Sequence, residues 1–310
     1  MTSQGMPVVV EAIERPATEP KTIKGSPRWG DLLLRVIAGL VLLYLFVPIF
    51  VIILFSFNDP AGKFNLTWNK FSTDAWAHPF GVPSLQDAVV LSLKIAFLST
   101  IVATLLGTLV ALALARYSFR GRGATNFAIF TPMATPEIVM GSSLLTLFIA
   151  TSGWPIGVDL GFWTILIAHI MFNISYVVVT VKARVYGFDR RLEEAAMDLY
   201  ANSFTTFRRI TLPLIMPGIG AAAALAFALS IDDFIVTQFN RGAEVTFPLF
   251  IYGAARNGVP VQVNVIGSII FLVAVGGMLL NLMIQNSRAK RDARASAGAV
   301  RRAQASEAAA

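Results

Sequence analysis

The sequence predicts an all-α integral membrane protein of six transmembrane helices with both termini in the cytoplasm. Three observations carry that expectation. The chain is 55% hydrophobic and only 14% charged, with 23 Phe and a mean hydropathy of +0.67, a balance typical of membrane-embedded chains. Apolar runs long enough to cross about 30 Å of hydrocarbon, roughly 20 residues each, lie near 32–57, 88–115, 124–150, 160–181, 213–236 and 264–285. The basic residues gather on one side of those runs.

The first run is too long for a signal peptide, and no small-residue cleavage site follows it in SFNDPAGKF, so it reads as a retained helix. The charges then fix the orientation. The arm before the first run carries Arg15, Lys21, Lys24 and Arg28, and the loop after the second carries Arg116, Arg120 and Arg122. Lys182, Arg184, Arg190, Arg191, Arg208 and Arg209 follow the fourth run, and Arg288, Lys290, Arg291, Arg294, Arg301 and Arg302 follow the sixth. The opposite loops hold only Lys63, Lys70, Arg241 and Arg256, while Arg35 and Lys94 sit within apolar runs. The net charge of +7 is therefore a topology signal, and no nucleic-acid partner is needed to explain it. Residues 1–30 read as a cytoplasmic arm, 31–285 as a six-helix membrane domain and 286–310 as a basic, low-complexity cytoplasmic tail.

Two runs are more than oily rods. The third contains TPMATPEIVMG, in which Pro132 and Pro136 free backbone carbonyls that lipid cannot satisfy. The fifth carries Gly218, Gly220 and Ala221 to Ala224, small residues that permit close helix packing. Outside the runs, Trp68, Phe71 and Trp76 in segment 58–87 suit the membrane interface, and segment 238–263 has the apolarity to fold partly back.

Carboxylates in apolar runs are expensive and so mark function. At 1.5 Å per residue, Asp232 lies about 27 Å along the fifth run and Glu137 about 20 Å along the third, both toward the outer side. Glu137, Asp232 and Asp233 can then line one outward vestibule attractive to a cation. The competing reading is a solvated helix end plus a Glu paired to a neighbouring cation. The two histidines form no metal site: His78 reads as a loop residue and His169 as an interhelical hydrogen-bonding group. There is no Cys, so thiolate chemistry and disulfides are excluded, and no metal or other cofactor is expected.

The largest internal polar stretch, RRLEEAAMDLYANSFTTFRRITLPL, reads as a helical hairpin over 189–212. Asp189 is a suitable N-cap, Glu193 and Glu194 complement the helix N-terminus, and Leu192, Ala196 and Leu199 share a face. ANS then forms a turn in which Ser203 caps a second short helix carrying Phe204, Phe207 and Ile210, and Pro213 opens the next span. A helix lying on lipid is one reading. The acids at Glu193, Glu194 and Asp198 oppose it, because an anionic leaflet repels them, and favour docking into a protein groove.

EEAAMDLYANSFTTFRRITLPL resembles the EAA loop of binding-protein-dependent ABC importer permeases, in which E-A-A precedes a distant I-x-L-P. Glu194, Ala195 and Ala196 match its start; Ile210, Leu212 and Pro213 match its end. The likeness spans about 85–285, and LSIDDFIVTQF is similar to the paired-acid block of polyamine-type permeases. The resemblance implies a MetI-like permease architecture in a bacterial inner membrane, and an ATPase-coupling role for Glu193, Glu194, Ala195, Ala196, Asp198, Leu199 and Tyr200. It also implies separate partners: a cytoplasmic ATP-binding subunit in two copies, a second permease subunit forming a heterodimer, and an external substrate-binding protein. The chain lacks a G-x-x-x-x-G-K-[ST] loop and reads as a translocating subunit rather than an enzyme. A polyamine such as spermidine or putrescine is the expected cargo; an opine, a phosphonate or iron is the alternative within the same class. A stand-alone secondary carrier is the alternative outside it, opposed by the lack of paired half-repeats. One departure stands out: the family's Gly falls on Tyr200.

Overall fold

The computed structural model describes residues 29–154, 157–280, 283 and 287. The arm before 29 and nearly all of the tail lie outside the described residues, as does the expected end of the sixth run at 285. The chain divides into two units at Phe50 and Val51. The first contributes the bulk of α1 (Trp29–Phe55), which carries no charged residue after Arg35 and is apolar all round from there on.

The second unit opens with a short hairpin, β1 (Asn58–Asp59) and β2 (Lys70–Phe71), paired antiparallel. Asn58 organises it: its Nδ2 donates to Asn65 Oδ1 and the Thr67 carbonyl, while its Oδ1 accepts from Asn69 N. Phe57 stacks on both Phe71 and Trp76, and Trp76 Nε1 donates to Ser56 Oγ. The helices α2 (Asp74–Ala77) and α3 (Pro83–Arg116) follow.

The third apolar run is two helices, α4 (Arg122–Ala134) and α5 (Glu137–Thr151), bent by 108° at their junction. Pro136 causes the break. It excludes the helical region for the residue before it, and Thr135 is extended at ψ 131°. Threonine hydroxyls return to carbonyls along α4: Thr131 Oγ1 donates to Phe127 O and Thr135 Oγ1 to Thr131 O, the internal satisfaction that a membrane demands.

Next come α6 (Phe162–Tyr186), α7 (Arg191–Asp198) and α8 (Ser203–Thr206). The expected second short helix is not separate. From α8 the chain passes through a π-helical turn, Phe207–Thr211, directly into α9 (Leu212–Asp232), because nothing between Thr206 and Pro213 breaks a helix. Pro213 has no N–H to donate, and the π-helical turn falls just ahead of it. Then α10 (Ile235–Asn240), α11 (Phe247–Asn257) and α12 (Val261–Leu280) complete the described chain. Among the described residues, five helices are long and apolar enough to cross a membrane, or six if the bent pair is counted as one span.

Three helices form the centre. Ala103, Ala111 and Leu114 of α3 pack with Val177, Val178 and Val181 of α6 and with Ile215, Ala222 and Ala226 of α9. Small residues set the spacing, as a membrane interface requires. A Cβ at Gly107 would meet Val177 Cγ1 at 2.6 Å, and one at Gly218 would meet the Arg184 stem at 2.7 Å. Gly220, by contrast, has open space around it. A second cluster joins α5, α6 and α10 through Met140, Leu144, Phe172 and Val236. A third joins α3, α11 and α12 through Leu85, Phe247 and Ile266.

Candidate functional site

The break between α4 and α5 faces the end of α9. Between them lies a cleft of about 690 Å³, walled by residues 132–137, by Phe172 and Tyr176 of α6, and by Leu229 and residues 232–236. Glu137, Asp232 and Asp233 all line it. Their chemistry differs. Glu137 opens α5 and Asp232 closes α9; both are exposed, and neither forms an ion pair among the described residues.

Asp233 is committed elsewhere. Its carboxylate is 7% exposed, and Oδ2 accepts from Thr237 N at 2.8 Å and Thr237 Oγ1 at 2.7 Å. His169 Nε2 lies 3.3 Å from the same oxygen and 2.9 Å from Thr237 Oγ1. On the other edge of the ring, Nδ1 lies 2.6 Å from Ser230 Oγ, which lies 3.0 Å from Ser99 Oγ. A proton on Nε2 satisfies this chain: His169 donates to Thr237, Thr237 donates to Asp233, and Nδ1 accepts from Ser230. His169 is thus the interhelical group expected of it, linking α6 to α9 and α10. Its partners Ser99, Ser230 and Thr237 are all buried, and their places on the buried faces of their helices are the only mark they leave in the sequence.

The hairpin is a second candidate site. Asp189 Oδ1 accepts from Arg191 N at 2.9 Å, but the cap position of α7 falls on Arg190 rather than on Asp189. The second cap is Asn202, whose Oδ1 accepts from Thr205 N at 2.8 Å, and not Ser203. The two glutamates part company. Glu193 turns inward, its Oε1 2.9 Å from Arg116 Nη2 at the end of α3 and accepting as well from Thr211 Oγ1. Arg116 also lies 4.6 Å over the Phe188 ring. Glu194 is exposed, and among the described residues its one ion-pair partner is Arg190 at 3.8 Å. Ala195, Asp198, Leu199 and Tyr200 share that exposure, while Ala196 is half-buried.

Tyr200 itself takes the left-handed backbone, at φ 62°. Tyr200 N donates to Met197 O and Ala201 N to Ala196 O, the paired bonds of a Schellman end that satisfies the last carbonyls of α7. The geometry of a Gly is present, carried by a tyrosine whose side chain is 98% exposed.

Residues 103–291 match the family described as the binding-protein-dependent transport system inner membrane component. The chain belongs to this family. It is accordingly a multi-pass inner-membrane permease component and no catalytic subunit. It is 40% identical over 248 residues to the spermidine/putrescine transport system permease protein PotC of Escherichia coli, covering 80% of this chain and 91% of that one. The PotC of Haemophilus influenzae is 38% identical over 78% of this chain and 91% of that one. The putrescine transport system permease protein PotI of Escherichia coli is 38% identical, covering 75% and 83%. A chain of a solved bacterial ABC transporter that imports alginate aligns with a TM-score of 0.56 at 18% identity, over 84% of this permease and 96% of that chain. That likeness speaks for the fold.

The left-handed tyrosine gives a direct test. A non-Gly residue there costs about 1–2 kcal/mol, so Tyr200→Gly is expected to leave the hairpin intact or slightly firmer. Tyr200→Val, β-branched at the same φ, is expected to loosen it. Amide exchange at Ala201 checks this; equal protection in both variants would show that the turn stores no strain.

Proposed function

We propose that this permease carries a polyamine inward as one half of an ATP-driven importer, with cargo delivered by an external binding protein. The 40% identity to a permease named for spermidine and putrescine, over 91% of that chain, carries the reading. The cleft suits it: two exposed carboxylates, Glu137 and Asp232, stand beside Tyr176 and Phe172. A polyamine offers separated cations, and aromatic faces add attraction to each. Asp233 serves by holding the wall through His169 and Thr237 rather than by meeting cargo.

In this reading the hairpin side is cytoplasmic, as are the 1–30 arm and the 286–310 tail around the 31–285 membrane domain. Glu194, Ala195, Asp198, Leu199 and Tyr200 form the face that docks into a groove of a separate ATP-binding subunit, present in two copies. Glu193 and Ala196 support that face from behind. A second permease subunit completes the pathway as a heterodimer.

The test is uptake by the assembled transporter, reconstituted with its ATPase and binding protein. Glu137→Gln with Asp232→Asn is expected to lower spermidine or putrescine uptake more than tenfold, with the complex still assembled. Uptake of an opine, a phosphonate or iron in preference to polyamines would overturn the cargo. Uptake by this chain without any ATPase would overturn the importer.

A further inference from the structure

We propose that the cleft between α4 and α6 binds the phosphate-bearing headgroup of an anionic phospholipid from the cytoplasmic leaflet. The proposal rests on the cytoplasmic placement of the hairpin and is independent of the cargo. The cleft, about 180 Å³, lies where α4 begins and α6 ends, with Asn126, Ile129 and Phe130 on one wall and Val179, Lys182 and Tyr186 on the other. Gly121, at φ 92°, turns the chain so that Arg122 opens α4 at the rim.

Two cations converge there. Lys182 Nζ donates to Asn126 Oδ1 at 2.6 Å and lies 5.9 Å from the Tyr186 ring centre. Arg122 Nη2 donates to the Tyr186 hydroxyl at 3.2 Å. Among the described residues, neither has a carboxylate within ion-pairing distance; the nearby Arg116 is matched by Glu193. Both are half-buried, so each has given up part of its water for neutral oxygens alone. A phosphodiester would supply the missing charge-assisted acceptor.

The rest of the cleft selects a lipid over free phosphate. Its lower walls are apolar, and the helix they continue onto presents Phe127 and Phe130, 75% and 52% exposed. Acyl chains can lie along that face while the headgroup stays at the rim with Lys182 and Arg122. Basic clefts between membrane helices at the cytoplasmic surface recognise anionic headgroups in this manner.

The experiment uses the assembled transporter, equilibrated in nanodiscs holding equal phosphatidylglycerol and phosphatidylcholine, with retained lipid read by native mass spectrometry. Each basic contact with an anionic leaflet contributes a factor of about five. The wild type is therefore expected to retain phosphatidylglycerol about 25-fold over phosphatidylcholine. Lys182→Gln and Arg122→Gln are each expected to lower that preference about fivefold, and Arg256→Gln, at the other end of the fold, to leave it unchanged. A photoactivatable phosphatidylglycerol must label residues 122–130 or 179–186 of the wild type, a readout that needs no variant. Equal retention of both lipids, labelling only elsewhere, or displacement of the lipid by inorganic phosphate would overturn the proposal.

Discussion

Glu193→Ala is expected to cut ATP-driven uptake at least tenfold while the chain still inserts in the membrane. Glu193 is the tie between α7 and the membrane helices: one carboxylate oxygen takes Arg116 Nη2 from α3 and Thr211 Oγ1 from the π-helical turn into α9. The two ion-paired side chains are only 20% and 15% exposed. Removing the acid strands a half-buried guanidinium and a hydroxyl, at a cost of about 2–3 kcal/mol. A hairpin that transmits force must be rigid against its load, so a loosened α7 should still meet the ATPase but move α9 poorly. ATP hydrolysis is then expected to continue with uptake lost. Glu194→Ala should do the opposite: its carboxylate makes only an exposed pair with Arg190 at 3.8 Å, worth little to the fold, so any loss appears in ATPase binding. A double-mutant cycle on Arg116 and Glu193 checks the tie, since direct partners couple by about 0.5–3 kcal/mol. Coupling near zero, or uptake unaffected by Glu193→Ala, would refute it.

That contrast marks how far the sequence carries. Hydropathy placed the spans, and the position of Asp232 in its run placed it at the C-terminal end of α9, because both depend only on local composition and rise per residue. The break in the third run was half legible. Pro132 and Pro136 signalled trouble, but the 108° bend depends on Thr135 going extended and on α5 finding α10 to pack against. The π-helical turn left no mark, since FRRIT suits a regular helix equally well. At Tyr200 the missing Gly identified the position, while the outcome was decided by two backbone bonds worth more than the strain.

Adjacent acids were the hardest to separate. Glu193 and Glu194 differ in sequence only in that Glu194 begins the E-A-A match, and Asp232 and Asp233 read alike. One of each pair is a structural tie and the other is open to solvent, and the difference lies in partners far along the chain. His169 meets Ser230 and Thr237 across separations of 61 and 68 residues. Periodicity shows which face a residue occupies but not what stands opposite.

Asp233→Ala is accordingly expected to destabilise the permease by about 3–5 kcal/mol, the usual cost of removing one partner from a buried charged network. It would leave Thr237 N without its acceptor at the start of α10 and His169 without the carboxylate beside Nε2. Since α10 forms one wall of the acidic cleft, cargo transport should fall as well, but as a consequence of lost structure. Asp233→Asn keeps an oxygen for Thr237 and should be intermediate. Asp232→Asn should leave thermal stability within about 0.5 kcal/mol, as an exposed substitution does, and lower uptake alone. His169→Ala should resemble Asp233→Ala, and the two together should cost less than their sum because they break one network. Thermal unfolding of the purified permease, measured beside uptake, separates these outcomes. If Asp233→Ala lowered uptake at unchanged stability, Asp233 would belong with Glu137 and Asp232 as a group that meets the cargo. A stability loss confined to Asp233 and His169 leaves the open pair as the charged surface that cargo encounters.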